Sequence, residues 1–401
     1  MPQTSASSRI GESVARANLN NAAASIPAEG VVAAVTDFLE AEQTLGPYPA
    51  AKLHAEQFDD LYSVLAELVG VSADAVAVFD SATRAWSAFL GGMVLSRGDR
   101  ILLSTCSFAS MAIAAETLAA RAGAAVEYFR AGGEGRGLDE LEHMLDESVR
   151  LVSAPHIPAH NGRVNPVAAI GALVAPTAAL YVVDASQSVG HVPVDATRIG
   201  FDALVASGRK YLRGPRGTGF LALGSNTYKT RTVDPGLPDI HAAAWSPTTP
   251  PTIRSDARRF EYSERSYSLL AGLRVAARHA TRLGAEQTQA RVTCLATRLA
   301  RRLLELPDVT VHSPSPSPCG IVSFSIGRTN PYTFVQWCEQ RGISLSVTRA
   351  ESTPVDMLAD HPAGWIRASL HYYNNSLQVD ELGDLVEKFI QVEAAFVLDR
   401  S

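Results

Sequence analysis

Residues 181–223 read YVVDASQSVGHVPVDATRIGFDALVASGRKYLRGPRGTGFLAL, and the fold is decided in this stretch. Three apolar runs, Ala179–Val183, Ala203–Ala206 and Gly219–Leu223, are too short for helices and do not alternate with polar residues. Such runs indicate strands covered on both faces, as in a largely parallel sheet. The first run ends in Asp184, and the second runs into Ser207-Gly-Arg-Lys210.

Working outward, the same alternation continues. Ala75–Phe79 is apolar and ends in the turn Asp80-Ser81, and a helix is expected over Thr83 to Leu95. Arg100–Ser104, Ala125–Phe129 and Arg150–Ser153 are further strand candidates, with an Ala-rich helix over Ala109–Ala122. Asn165 is expected to cap a helix that has Pro166 at its first position and ends at Pro176. Helical patterns precede all this at about 30–43 and 54–69, after a polar start (1–12) expected to be a frayed arm. The expected class is α/β, with helices flanking a mostly parallel sheet. Two Pro-rich stretches follow: Ser246 to Thr252, expected to be a long surface or interface loop, and Ser313 to Pro318 inside a C-terminal α+β region. The expected organisation is an N-terminal arm (1–25), a large domain (26–285) and a small domain (286–401).

Composition narrows the function. A net charge of −6 argues against a phosphate-backbone binder, so no nucleic-acid partner is expected. The most apolar stretch, Ala168 to Val183, is broken by Gly171 and by Pro176-Thr177, so no membrane span is expected. No apolar segment follows the first residues as a secretory signal requires. The four cysteines, Cys106, Cys294, Cys319 and Cys338, are too scattered for a disulfide framework or a zinc cluster, so no metal is expected and a cytoplasmic setting fits.

One count bears on chemistry. Of 35 basic residues only four are lysines: Lys52, Lys210, Lys229 and Lys388. Arg stays protonated, whereas Lys can become a nucleophilic amine. Lys210 follows a strand end, 26 residues after Asp184 at another, and ligands of open α/β sheets collect beyond such ends. An amine that condenses with an aldehyde, and a carboxylate that keeps a pyridine nitrogen protonated, are what a pyridoxal phosphate (PLP) site needs. A structural Asp–Lys salt bridge is the alternative. The run Gly214-Pro-Arg-Gly-Thr-Gly219 is not a dinucleotide fingerprint, because the glycines are in the wrong order and precede a strand rather than a helix.

The segments DASQSVGH and SGRKYLRGPRGTGFL resemble the class V aminotransferase family of fold type I PLP enzymes. That family includes cysteine desulfurases, isopenicillin N epimerase and hercynylcysteine sulfoxide lyases. The likeness continues through RRFEYSERS (258–266), CGIVSF (319–324) and IRASLHYYN (366–374). It implies a mostly parallel mixed sheet in the large domain, a smaller α+β C-terminal domain, and a homodimer with shared sites. It also implies roles. Lys210 matches the Schiff-base lysine and proton carrier, Asp184 the pyridinium partner, and Gln187 the residue bonded to the ring phenolate oxygen. Thr83, with Ala82 before it, matches the phosphate-binding threonine at a helix start, where free N–H groups favour an anion. Ser207 matches a second phosphate ligand, and Phe108 the group stacked on the ring. Arg367 matches the arginine that grips the substrate α-carboxylate, with Arg349 as the other candidate.

Departures from the family pattern shape the expected reaction. The stretch Ser344 to Thr353, where desulfurases carry a nucleophilic cysteine, reads SLSVTRAEST. In HIPAHNG (156–162), Ala159 replaces a polar contact and His160 becomes a candidate for substrate or ring contact. Ser263-Glu264 replaces the Gly-Thr pair that reaches the partner's phosphate, as on the sulfoxide-lyase side of the family, with Ser263 the expected contact. The leading expectation is β-elimination, cleaving the C–S bond of an S-conjugated cysteine in secondary or thiol metabolism. Transamination, epimerisation and decarboxylation coupled to oxidative deamination are the alternatives. A non-catalytic PLP-fold binding module is disfavoured because Lys210, Asp184 and Gln187 are all present.

Overall fold

The computed structural model describes residues 17–132, 136–230 and 233–398, so the polar start expected to fray lies outside the described residues. A seven-stranded sheet forms the larger layer. From edge to edge its strands are Val76–Phe79, Gly219–Leu223, Ala203–Ser207, Leu180–Asp184, Val149–Pro155, Arg100–Ser104 and Ala125–Phe129. Gly219–Leu223 runs antiparallel to both neighbours, and every other pairing is parallel. The sheet is mixed and mostly parallel.

Helices cover both faces, each burying an apolar stripe. Ala55–Val69 contributes Phe58, Leu61, Tyr62, Leu65 and Val69 to one core, and ends on the left-handed Gly70. Ala82–Gly91 places Ala85, Trp86, Phe89 and Leu90 in the core on the other face, with Ala109–Ala122 beside it. Only small backbones allow the tightest approach. A Cβ on Gly219 would lie 2.6 Å from the carbonyl carbon of Ser81 and 2.7 Å from the Ala82 nitrogen. Glycine there lets the strand abut the first turn of Ala82–Gly91.

The edge strand is closed by a buried carboxylate. Glu261 Oε1 accepts the Val78 N–H (2.7 Å), and both oxygens accept the Tyr62 hydroxyl (3.0 Å). Glu261 also pairs with Arg265 and with His241 Nε2 (3.3 Å). A strand edge with unpaired N–H groups would otherwise need water or another strand.

A second, four-stranded antiparallel sheet has the order Val309–Val311, Ile321–Ile326, Trp365–Ser369, Ser346–Thr348. The helices Ala285–Leu304 and Ser376–Leu398 enclose its core with Leu295, Leu299, Phe324, Ile366 and Leu382. Residues 17–25 join this unit: Ala17–Asn18 pairs parallel with Ile343–Ser344, and Asn20 bridges Ser369.

Two sequence expectations are corrected. The stretch 246–252 belongs to a hairpin, Ala243–Ser246 against Thr249–Ile253. Its register shifts between Thr249 and Thr252, where Pro250 and Pro251 supply no N–H to the ladder. Asn165 does not cap the next helix. That helix is Val167–Val174 with Pro166 at the capping position, while Asn165 Nδ2 donates to the Pro155 carbonyl at 2.7 Å.

Candidate active site

Parallel strands bring their carboxyl ends to one edge, and the candidate residues follow from that. Asp184 ends one strand and Ser207 its neighbour, with Asp184 opposite both Pro155 and Val205. Ser207 and Phe79 are each paired with Gly219, so the turn Asp80-Ser81 emerges beside the lysine loop. A cavity of about 280 Å³ opens there. Its walls include Ala82, Thr83, Phe108, Asp184, Gln187, Ser207, Lys210, Arg349 and Arg367. Nine of the eleven sequence candidates therefore share one cavity. His160 and Ser263 are not on its wall.

The lysine is placed by a strained loop. Arg213 adopts a left-handed conformation (φ 61°), its N–H donating to the Lys210 carbonyl at 3.0 Å. Its guanidinium donates to the carbonyls of Ile26 (2.8 Å) and Pro27 (3.0 Å) and to the Tyr372 hydroxyl. The loop is thus pinned to the chain start and to the small sheet's unit. Burial pushes the Lys210 amine down to about 8; Asp184 pulls it up, and Arg209 and Arg367 add repulsion. The other three lysines are exposed. An amine with a lowered pKa is neutral, and hence nucleophilic, at far lower pH than an ordinary lysine.

Neighbouring groups are held from behind. Asp184 Oδ1 accepts the Ser186 N–H (2.9 Å), and Ser207 Oγ lies 3.4 Å from Ser186 Oγ. Gln187 Nε2 donates to the Ala22 carbonyl at 3.0 Å, while its buried Oε1 has no partner. His191 fixes the Gln187 backbone: its Nε2 accepts the Gly320 N–H (2.7 Å), so Nδ1 carries the proton donated to the Gln187 carbonyl (2.8 Å). Burial lowers His191 to about 3, which keeps it neutral.

Arg367 reaches the cavity from the middle of the small sheet, paired in register with Ser323 and Ser346. Its guanidinium donates to the Ala159 carbonyl (2.8 Å) and to Ser346 Oγ (3.0 Å). Nε is buried without a partner. Burial lowers Arg367 to about 10, with Tyr211 working the other way. A buried guanidinium with donor capacity to spare is a site for a carboxylate.

The family described as aminotransferase class-V matches residues 17–382. The chain belongs to the class V aminotransferase family. Among relatives, a probable cysteine desulfurase of Methanothermobacter thermautotrophicus is 26% identical over 366 residues, covering 89% of this chain and 90% of that protein. A cysteine desulfurase of Haloferax volcanii is 26% identical over 384 residues, covering 92% and 88%. Of solved structures, the cystine C-S lyase C-DES in complex with cysteine persulfide superposes with a TM-score of 0.84 at 24% identity, covering 93% of this chain and 98% of that one. The cysteine desulfurase CsdA of Escherichia coli gives 0.85 at 19% identity, with coverage of 94% and 95%.

Class V enzymes are PLP-dependent, and so is this one. The residues present fit the cofactor. Thr83 is the second residue of Ala82–Gly91, whose capping Ser81 Oγ takes only the Arg84 N–H (3.2 Å). The first N–H groups of that helix are left for an anion, with Ser207 on the facing strand. Phe108 is 39% exposed on the cavity wall, an apolar face open to a ring. The unpartnered Gln187 Oε1, with Asp184 and Lys210 on the same wall, completes the set.

His160 is redirected. It is 1% exposed, and its Nε2 bonds Asp356 Oδ2 at 3.0 Å, tying the 156–162 segment to the turn after Thr353. Burial raises the Asp356 carboxyl, but bonds from His160 and Thr105 outweigh it and hold the group below its usual range. Ser263 lies on the loop after Glu261, and its N–H donates to Asp239 Oδ2 (2.7 Å) rather than being left for a ligand. Sequence reasoning missed Arg209, Ser186, Ser346 and Cys106 on the cavity wall. Position next to Lys210 was a signal for Arg209; Ser346 had none, since it enters only through its register with Arg367.

Proposed function

We propose that this PLP-dependent enzyme is a C–S lyase that cleaves S-conjugated cysteines by β-elimination and releases the thiol directly. The observation that carries this is the cavity's sulfur chemistry. The 344–353 segment, which supplies Ser346 to Arg349 and Ser352-Thr353 to the wall, has no cysteine to accept sulfur. The one cysteine lining the cavity, Cys106, is a poor nucleophile: burial raises its thiol to about 11 against opposing bonds from Ser104 and Asn165.

In this proposal Arg367 holds the substrate α-carboxylate, and Lys210 Nζ takes the Cα proton. Asp184 holds positive charge at the ring nitrogen, Thr83 and Ser207 hold the phosphate, and Phe108 covers one ring face. PLP, when bound, supplies the electron sink for the carbanion at Cα. The electron pair left at Cα becomes the second bond of a Cα–Cβ double bond as the Cβ–S bond breaks and the thiolate leaves with its electrons. The released unsaturated amino acid is hydrolysed to pyruvate and ammonia. His160 acts as a positioning residue, through Asp356.

The two cores support dividing the chain at 285, with residues 17–25 of the arm attached to the small domain. Gly284 breaks the run between Tyr267–Leu283 and Ala285–Leu304, which pack on different sheets' units. We also propose a homodimer in which the 263–264 loop lies near the neighbour's cofactor, and a cytoplasmic location, supported by four free cysteines. Among the described residues no helix is long and apolar enough to cross a membrane. Product analysis with S-alkyl cysteines tests the reaction. Equal amounts of thiol, pyruvate and ammonia are expected; alanine with protein-bound persulfide, or aldehyde with carbon dioxide, would refute it.

A further inference from the structure

The cavity carries more positive charge than its assigned ligands use. Arg209, Lys210, Arg349 and Arg367 line it, against one carboxylate, Asp184. Among the described residues, neither Arg209, Arg349 nor Arg367 has an ion-pair partner. The carboxylates closest along the chain to Arg349 do not neutralise it. Glu351 is exposed and off the cavity wall, and Asp356 is engaged by His160.

On the functional reading above, on which this inference rests, three of these groups have work to do. Asp184 and the ring nitrogen neutralise one another, and Lys210 is the reacting amine. A phosphate carries roughly −1.5 to −2 charge at neutral pH. In that reading it sits against the start of Ala82–Gly91 and Ser207, and Arg209, two residues after Ser207 and on the same cavity wall, is assigned to it. The α-carboxylate takes Arg367. That leaves Arg349, which shares the cavity wall with Thr348, Ser352 and Arg367 and has no ion-pair partner among the described residues.

We propose that Arg349 reads a second anionic group on the substrate, so that the preferred substrates are amino acids with an acidic side chain: cysteine S-conjugates ending in a carboxylate or sulfonate. Arg349 lies at the exposed margin of the cavity, so the interaction is a partly solvated ion pair. Its strength should fall as salt rises. A surface arginine with no ligand would give neither charge selectivity nor salt dependence.

The test uses the holoenzyme in two arms. In the first, turnover of S-carboxymethylcysteine is compared with S-methylcysteine and S-(2-aminoethyl)cysteine. The anionic conjugate should be favoured over the neutral one by roughly two- to fivefold in kcat/KM at low salt, as for a partly exposed ion pair. Arg349→Gln should collapse that ratio towards one, Arg349→Lys should restore part of it, and Arg349→Glu should favour the aminoethyl compound. In the second arm, the change in cofactor absorbance is titrated with glutamate and with glutamine, which carry no sulfur to eliminate. If no cysteine conjugate is cleaved, the lyase reading fails, and this arm still decides the charge preference. Equal affinity for glutamate and glutamine, or a ratio unchanged in Arg349→Gln, would overturn the assignment.

Discussion

Replacing Arg367 by alanine tests the proposal that its guanidinium holds the substrate carboxylate and little else in the cavity depends on it. The guanidinium spends one nitrogen on the Ala159 carbonyl and one on Ser346 Oγ, and its Nε is buried and unpaired. A carboxylate that loses its partner in such a desolvated place costs about 3–5 kcal/mol, or roughly 150- to 5,000-fold in affinity. Lysine would keep the charge and lose the planar fork, so Arg367→Lys should fall between the two. The assay is equilibrium titration of the holoenzyme's visible absorbance with an α-amino acid and with the matching amine that lacks the carboxylate. Arg367→Ala should lose the first at unchanged PLP content and leave the second within a few-fold. An equal loss for both compounds would mean a general disturbance of the cavity. No loss for either would place the carboxylate elsewhere, and either outcome would refute the reasoning.

Three other outcomes follow from the charges. Because burial lowers Lys210 to about 8, attachment of PLP to the apoprotein should accelerate with pH around a midpoint near 8; a midpoint near the ordinary 10.5 would contradict it. Burial also lowers His191 to about 3, His156 to about 4 and His371 well below its usual value. The unfolded chain then takes up protons below about pH 6.5 that the folded chain refuses. Each histidine should cost about 1.4 kcal/mol of stability per pH unit as pH falls, seen as a falling urea midpoint; a flat midpoint would count against neutral burial. Glu261→Ala strands the Val78 N–H, the Tyr62 hydroxyl and Arg265, and should destabilise by about 3–5 kcal/mol in chemical unfolding. A loss below 1 kcal/mol would mean that water replaces the carboxylate at the sheet edge.

Sequence reading carried furthest where local pattern and burial agree. The strands Arg100–Ser104, Ala125–Phe129 and Gly219–Leu223 are short, mostly apolar runs between turn residues, and their bounds match the reading. Position at strand ends then brought Asp184, Ser207 and Lys210 together, because parallel strands deliver their carboxyl ends to one side. The failures are of another kind. Pro250 and Pro251 spoke for a loop at 246–252, yet a register shift lets a hairpin absorb them. Nothing local marks Asn165 as a buried donor to Pro155 rather than a cap, since both uses suit its side chain. His160 looked open to a ligand because Asp356, its partner 196 positions away, is brought to it only by the fold. Pairings across such distances depend on how the two sheets' units meet, which composition and spacing do not encode.

The most direct test of the account is where PLP is attached. The holoenzyme is reduced with borohydride, digested, and searched by mass spectrometry for lysines carrying the reduced cofactor. The account predicts a single modified site, Lys210, with Lys52, Lys229 and Lys388 unmodified and no label in Lys210→Ala, which should also lose turnover by orders of magnitude. Label on another lysine, or full turnover in Lys210→Ala, would contradict it.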